Sequence, residues 1–158
     1  MKNPLLNFSK QPFGTIPFKD LKNDHFIPAV KQGIKNAETT IEKISTNNES
    51  PTFENTILPF ELSGQRLNTS VTAYYHLFGS ESDQELKGLA EQISPMMAEF
   101  SSNIYLNIAL FKRIKSVYEN KQNLNDKEDI RILDVIYKDF LRNGAGLSEK
   151  KQNELRKV

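Results

Sequence analysis

The sequence has 158 residues, 21 Lys and Arg against 20 Asp and Glu, and no cysteine. That length fits one domain or a piece of one, and a net charge of +1 provides no clustered basic excess for nucleic acid or an anionic membrane. Disulfides and thiolate metal ligands are excluded, a reducing cytoplasmic compartment is expected, with export of a longer parent left open, and no apolar run reaches the roughly 20 residues of a membrane span.

Residues 1–22 carry Pro4, Pro12, Gly14 and Pro17 together with Leu5, Leu6, Phe8, Phe13, Ile16 and Phe18. Prolines fix φ and break helices, while a disordered tail is seldom this apolar; an extended arm packed along the helices is predicted. The first helix is expected to start at Asn23 or Asp24 as cap, with Pro28 in its first turn. Val30, Ile34, Ala37, Ile41 and Ile44 follow at spacings of 4, 3, 4 and 3, one stripe of a 3.6-residue period, and the helix should end in the polar run 45–50.

Pro51-Thr52-Phe53-Glu54 opens a second helix with Thr52 as its cap. Its stripe is Phe53, Ile57, Phe60, Gly64, Leu67, Val71, Tyr74 and Phe78. Pro59 predicts a kink, Gly64 on the apolar face predicts close approach of a neighbouring helix, and Gly79-Ser80 should end the element. Ser82 with Glu85 three residues on forms a capping box for a third helix carrying Leu86, Leu89, Ile93, Met97, Phe100 and Ile104, bent at Pro95. The phase then slips, predicting a break between Asn103 and Asn107 before a stretch with Ile108, Phe111, Ile114 and Val117.

Asn125 to Glu128 caps the next helix, whose stripe is Ile130, Leu133, Tyr137 and Phe140, and Asn143-Gly144 closes it. Ser148 starts a further helix that includes Leu155, and the sequence stops inside it without a stop signal. No strand-type alternation of useful length occurs. The expected fold is all-α: long antiparallel amphipathic helices after an extended arm, divided into arm (1–22), helical N-terminal domain (23–147) and the start of a truncated helix (148–158).

Candidate chemistry is sparse. His25 and His76 are 51 residues apart, whereas a helix-borne zinc site needs two histidines four apart on one face. They are expected as a helix-start residue and a partly buried helix residue. Glu54 and Glu61 share one side of the second helix, where a solvated face is the expectation. Gly144-Ala145-Gly146 lacks the preceding strand and the Gly-Lys-Ser/Thr ending of a phosphate loop and reads as a helix terminus. Lys150, Lys151, Arg156 and Lys157 interleave with Glu149 and Glu154, as on an ordinary charged helix face. No catalytic, metal or cofactor-binding residue is assigned. The residues alone leave two classes open: a stand-alone helical interaction or scaffold module, and a non-catalytic part of an enzyme.

The order of the motifs resembles a known family. Asn3-Pro4-Leu5-Leu6, Pro17-Phe18 and Asp24-His25-Phe26-Ile27-Pro28-Ala29 look like the opening of the bacterial dipeptidyl carboxypeptidases. Pro51 to Ile57 resembles the next block, with Ser63-Gly64 at its continuation; Asn103 to Asn107 with Leu110 to Arg113 is similar to a third. Ile130-Arg131 through Phe140, followed by Gly144 to Leu147, is similar to a fourth. Together these blocks resemble the thimet oligopeptidase family of zinc peptidases, peptidyl-dipeptidase branch. The resemblance implies a much longer, nearly all-helical parent whose zinc sits on an H-E-x-x-H helix plus a downstream glutamate beyond Val158. This segment would then form one wall of a deep narrow channel, bind no zinc and be inactive alone. Its partners would be the rest of the polypeptide and short peptide substrates, with neither nucleic acid nor membrane. Faces meant for the rest of the enzyme would make the isolated piece self-associate.

Overall fold

The computed structural model describes residues 3–7, 12–81 and 84–155. The expected Ser82 cap lies outside them. Among the described residues all regular structure is helical. After short 3₁₀ turns come α1 (Phe26–Ser45), a π-helical turn (Phe53–Ile57), α2 (Leu58–Ser63), α3 (Gln65–Glu81), α4 (Gln84–Tyr105), α5 (Ile108–Glu119), α6 (Lys127–Arg142) and α7 (Glu149–Leu155). None of these helices is long and apolar enough to cross a membrane. The chain divides into two compact units, Met1–Glu38 with Ser63–Met97, and Thr39–Leu62 with Ala98–Val158.

In the first unit the arm is not extended throughout. Its prolines start single 3₁₀ turns at Pro4–Leu6 and Pro12–Gly14, and Pro17 precedes a third at Phe18–Asp20. The φ that proline imposes suits such turns as well as extended chain. Leu5 packs as expected, and the Asn3 amide donates to the His25 carbonyl at 2.7 Å. Phe13 departs from expectation: it is fully exposed at a turn, with a positive φ of 59°. A 3₁₀ turn at Asn23–His25 leads into α1, and the His25 ring, not Asn23 or Asp24, takes up a free amide, accepting from the Lys22 N–H at 3.1 Å.

Of the predicted stripes Val30, Ala37, Leu67, Tyr74, Leu86 and Ile93 are buried in this unit, joined by Phe26, while Ile34, Val71, Phe78, Leu89 and Met97 are half-buried. Tyr74 meets the Phe26 ring edge-on at 5.6 Å, and its hydroxyl donates to the Leu86 carbonyl at 2.7 Å. Burial, and then neighbouring Tyr75, raises the pKa of that hydroxyl. Pro95 lies within α4, which continues past it. The α3 helix runs two residues beyond Gly79, and Ser80 turns its hydroxyl back onto the His76 carbonyl.

Close helix approach occurs at Gly33, not Gly64. A Cβ on Gly64 would meet nothing within 4 Å, because Gly64 lies in the break between α2 and α3. A Cβ on Gly33 would stand 2.9 Å from the Leu67 Cα. Gly33→Ala is therefore expected to destabilise: the roughly 1 kcal/mol of helix propensity gained is outweighed by overpacking against backbone, about 1–3 kcal/mol. Gly88→Ala in α4, with nothing within 4 Å, is expected to stabilise instead, by about 0.5–1 kcal/mol. Thermal melts that move in the same direction for both variants would contradict the Gly33 contact.

In the second unit the expected single helix from Pro51 is interrupted. A widened turn at Phe53–Ile57, in which the Leu58 N–H reaches the Phe53 carbonyl, directly precedes Pro59. Pro59 has no N–H for the Asn55 carbonyl and its ring would crowd it, so the widened turn accommodates the proline. Thr52 caps this turn as predicted. The break before α5 is also found, with Asn107 accepting from the Leu110 N–H at 2.9 Å. The buried face of α5 is Leu110, Arg113, Ile114 and Val117, while Ile108 is exposed.

Asp126 caps α6, which buries Leu133, Ile136 and Phe140. Phe140 meets the rings of Phe60, Tyr105 and Phe111 at 5.6, 5.1 and 5.9 Å. Stacking continues from Phe111 to Tyr137 at 5.8 Å and on to Tyr118 at 3.8 Å. Lys121 covers the Tyr118 ring at 4.3 Å and bonds Asp134 at 2.8 Å. The Asp134 hydrogen bond, then Tyr118, raises the Lys121 pKa; the same bond lowers that of Asp134. Gly144, at φ 93°, turns the chain after α6 in the left-handed conformation that the Asn-Gly pair predicts.

Candidate functional site

The residues singled out for chemistry do not converge. The His25 ring is engaged by the Lys22 N–H, and its other nitrogen lies 3.8 Å from Asp24. His76 is exposed, not partly buried as its helical position suggested. Among the described residues no group of three His, Asp or Glu side chains could hold a metal ion, so these residues do not fit a zinc site.

Glu54 and Glu61 are both exposed on their turns. The Glu54 pKa is lowered, by its own backbone amide and then by the Thr52 side chain. A general acid needs the opposite shift. The Gly144 to Gly146 segment is a helix terminus: the Gly144 and Ala145 amides donate to the Leu141 and Phe140 carbonyls at 3.2 and 3.0 Å. Those amides are not available as a phosphate cradle. Lys150 and Lys151 are exposed on α7, while Arg156 and Lys157 lie outside the described residues.

Two polar constructions do emerge, both in the second unit. One is centred on Arg113, which is only 8% exposed. Its Nη1 donates to the Asn47 and Glu49 carbonyls at 2.7 and 2.9 Å, and its Nη2 to Asn55 Oδ1 and Thr56 Oγ1 at 3.0 and 3.3 Å. Asn55 is the hub of the other side. Its Oδ1 also accepts from the Thr52 N–H at 2.9 Å and the Thr56 hydroxyl at 2.8 Å, and its Nδ2 donates to the Ser50 carbonyl at 2.9 Å. The guanidinium fork thus binds the loop after α1 and the π-helical turn to α5. It places a positive charge close beyond the C-terminus of α1, where the helix dipole favours one. Arg113 was missed from sequence, although its spacing of three from Leu110 and four from Val117 put it on the apolar face.

The other is an open groove of about 450 Å³ lined by Ser101, Ser102, Tyr105, Asn143, Leu147 and Leu155, among others. Burial raises the Tyr105 pKa, and the Asp139 carboxylate adds to it. Arg142, which also lines the groove, pairs with Asp139 at 3.3 Å. Gln152 is buried and donates to the Gly144 and Ala145 carbonyls at 3.3 and 3.1 Å, holding α7 to the turn. Among the described residues neither construction sets a nucleophile beside a base.

Comparison with known proteins places these elements in context. Residues 29–152 match the family described as the neurolysin/thimet oligopeptidase N-terminal domain. The chain is similar to the dipeptidyl carboxypeptidase of Salmonella typhimurium, 34% identical over 155 residues that cover 98% of this chain and 23% of that protein. The dipeptidyl carboxypeptidase of Escherichia coli K12 gives the same identity and coverage. Oligopeptidase A of Haemophilus influenzae is 31% identical over 157 residues, covering 96% of this chain and 22% of its own length. The chain thus spans less than a quarter of the length of these relatives.

Proposed function

The chain belongs to the neurolysin/thimet oligopeptidase family as its N-terminal domain, and from that premise we propose that it forms one wall of the substrate channel of a zinc metallopeptidase that removes dipeptides from the C-termini of short peptides. The observation that carries this reading is the 34% identity over 98% of the chain to proteins named dipeptidyl carboxypeptidase. A narrow channel admits extended peptides and excludes folded proteins, whose unfolding would cost about 5–15 kcal/mol. In this reading zinc and its ligands belong to the polypeptide outside this chain, and no chemical step is assigned to these residues. In this reading residues 1–22 are the arm, 23–147 the helical wall and 148–158 a separate last segment, with action in the cytoplasm. The exposed leucines near the end of the second unit favour self-association of the isolated chain.

The test is to incubate the full-length protein with N-terminally blocked short peptides and identify the products by mass spectrometry. Release of C-terminal dipeptides is expected, abolished by a zinc chelator and restored by added zinc. An inert full-length protein, or activity indifferent to chelation, would sink the proposal. The 31% identity to oligopeptidase A favours one second reading, cleavage at internal bonds, for which longer fragments would appear instead.

A further inference from the structure

Asparagine is thermolabile, most of all before glycine, because a residue without a Cβ leaves its backbone nitrogen open to approach the preceding side-chain amide. Among the asparagines of this sequence Asn143 alone is followed by glycine. Asn143 is exposed to water, while Gly144 is buried. We propose that Asn143–Gly144 is a deamidation site that α7 holds closed, so that opening of α7 is recorded as a lasting covalent change. In the reaction the Gly144 nitrogen attacks Asn143 Cγ and forms a cyclic imide. The Cγ–Nδ2 bond breaks, and Nδ2 leaves as ammonia with the proton from the Gly144 amide. Water then opens the imide at one carbonyl to give aspartate, or at the other to give isoaspartate, whose main chain runs through the side-chain carbon. No oxidant or reductant is needed.

The fold opposes ring closure from both sides of the bond. The Gly144 N–H donates to the Leu141 carbonyl at 3.2 Å, and Asn143 Nδ2 donates to the Asp139 carbonyl at 2.8 Å. Bringing the nitrogen onto Cγ breaks both. It also turns the peptide that carries Gly144, and α7 pins that residue: Gln152 donates to the Gly144 and Ala145 carbonyls at 3.3 and 3.1 Å. Leu155 closes over the glycine, since a Cβ there would stand 2.8 Å from Leu155 Cδ2 and 3.3 Å from Leu147 Cδ1. The α7 helix has seven residues, too few for much stability of its own, and opening it locally costs less than unfolding the core. The products do not fit back. Aspartate sets an acceptor against the Asp139 carbonyl and a negative charge at the C-terminus of α6, where the helix dipole disfavours one. Isoaspartate lengthens the backbone by one carbon and pushes Gly144 toward Leu155 and Leu147, where space is already short. The modified turn no longer seats α7, and the record is one-way.

The full-length protein is held at mildly alkaline pH, where loss of the amide proton favours attack, and samples taken over time are digested with pepsin in acid. Mass spectrometry gives the fraction of the peptide around position 143 in which an acid has replaced the amide. Conversion is expected to be about tenfold or more slower in the native protein than in urea, as for a site reached only through local opening. Gln152→Ala is expected to speed native conversion about fivefold, as for the loss of a net hydrogen bond holding α7. Leu155→Ala repeats the measurement if Q152A does not fold. Gly33→Ala, destabilised in the first unit, is expected to convert at the wild-type rate. Equal rates in native and urea-unfolded protein overturn the proposal, because nothing then holds the site closed. So does the absence of conversion in urea, which means that the bond is not reactive. So does equal acceleration by G33A and Q152A, which assigns the reaction to global unfolding, or a wild-type rate in both Q152A and L155A, which removes α7 as the gate. Peptidase activity does not enter the readout, so failure of the functional proposal is separately visible.

Discussion

Phe140→Ala is expected to remove about 4 kcal/mol of stability, within the roughly 3–5 kcal/mol range for truncating a buried phenylalanine. Phe140 is 0% exposed and touches rings from Phe60, Tyr105 and Phe111, so alanine leaves a cavity walled by three aromatics. Aromatic neighbours relax poorly into such a space because their planar rings move as rigid bodies, which keeps the loss from falling to the bottom of the range. At about 2–4 °C per kcal/mol for a chain of this size, the melting temperature should fall by roughly 8–16 °C. Val135→Ala on the same helix is the control: Val135 is 52% exposed, and its truncation should change stability by no more than about 0.5 kcal/mol. Urea titrations followed by circular dichroism decide the matter. A loss at Phe140 no larger than that at Val135 would mean that α6 does not pack as described.

Arg113→Leu is the second large effect, with an expected loss of about 3 kcal/mol. Leucine keeps much of the aliphatic bulk but removes the guanidinium donors to the Asn47 and Glu49 carbonyls, Asn55 Oδ1 and Thr56 Oγ1, of which Asn55 Oδ1 keeps its bonds from the Thr52 N–H and the Thr56 hydroxyl. Each acceptor left buried without a partner costs about 1–3 kcal/mol, and these sites are part-buried, so water recovers some of that loss. Arg113 Nε is itself buried with no acceptor among the described residues, which offsets part of what the fork contributes. Arg113→Lys should fall between, since an ammonium is a point donor and does not span the loop carbonyls and the π-helical turn together. Asn55→Ala in the Arg113→Leu background should cost less than Asn55→Ala alone, because the two side chains share one network. Strict additivity in that double-mutant cycle would show that the hub is not a unit.

The most distinctive block, Pro-Thr-Phe-Glu-Asn, is a folding element: Thr52 caps, Phe53 is buried, and Asn55 joins the turn to Arg113. Its glutamate is exposed, with a pKa shifted away from acid catalysis. The motif that resembles a peptidase family therefore carries architecture in this chain. The same holds for Asn143-Gly144, whose left-handed glycine closes α6 and offers its carbonyl to Gln152.

By itself the sequence determined the elements whose causes are local. The apolar spacing of α1, the Thr52 cap, the break at Asn107 and the glycine turn at 144 all depend on residues within a few positions of one another. Tertiary structure decided what depends on residues far apart in the chain. That Gly33 rather than Gly64 is the close approach follows from where Leu67 arrives. That Arg113 is a buried brace follows from carbonyls up to 66 residues away, and that His76 is exposed from what its helix packs against. Helical periodicity says which side of a helix is apolar, because that is a matter of angle along one axis. It does not say which neighbour meets that side or which polar group finds a partner there, because those are settled by distances between segments that only the folded chain brings together.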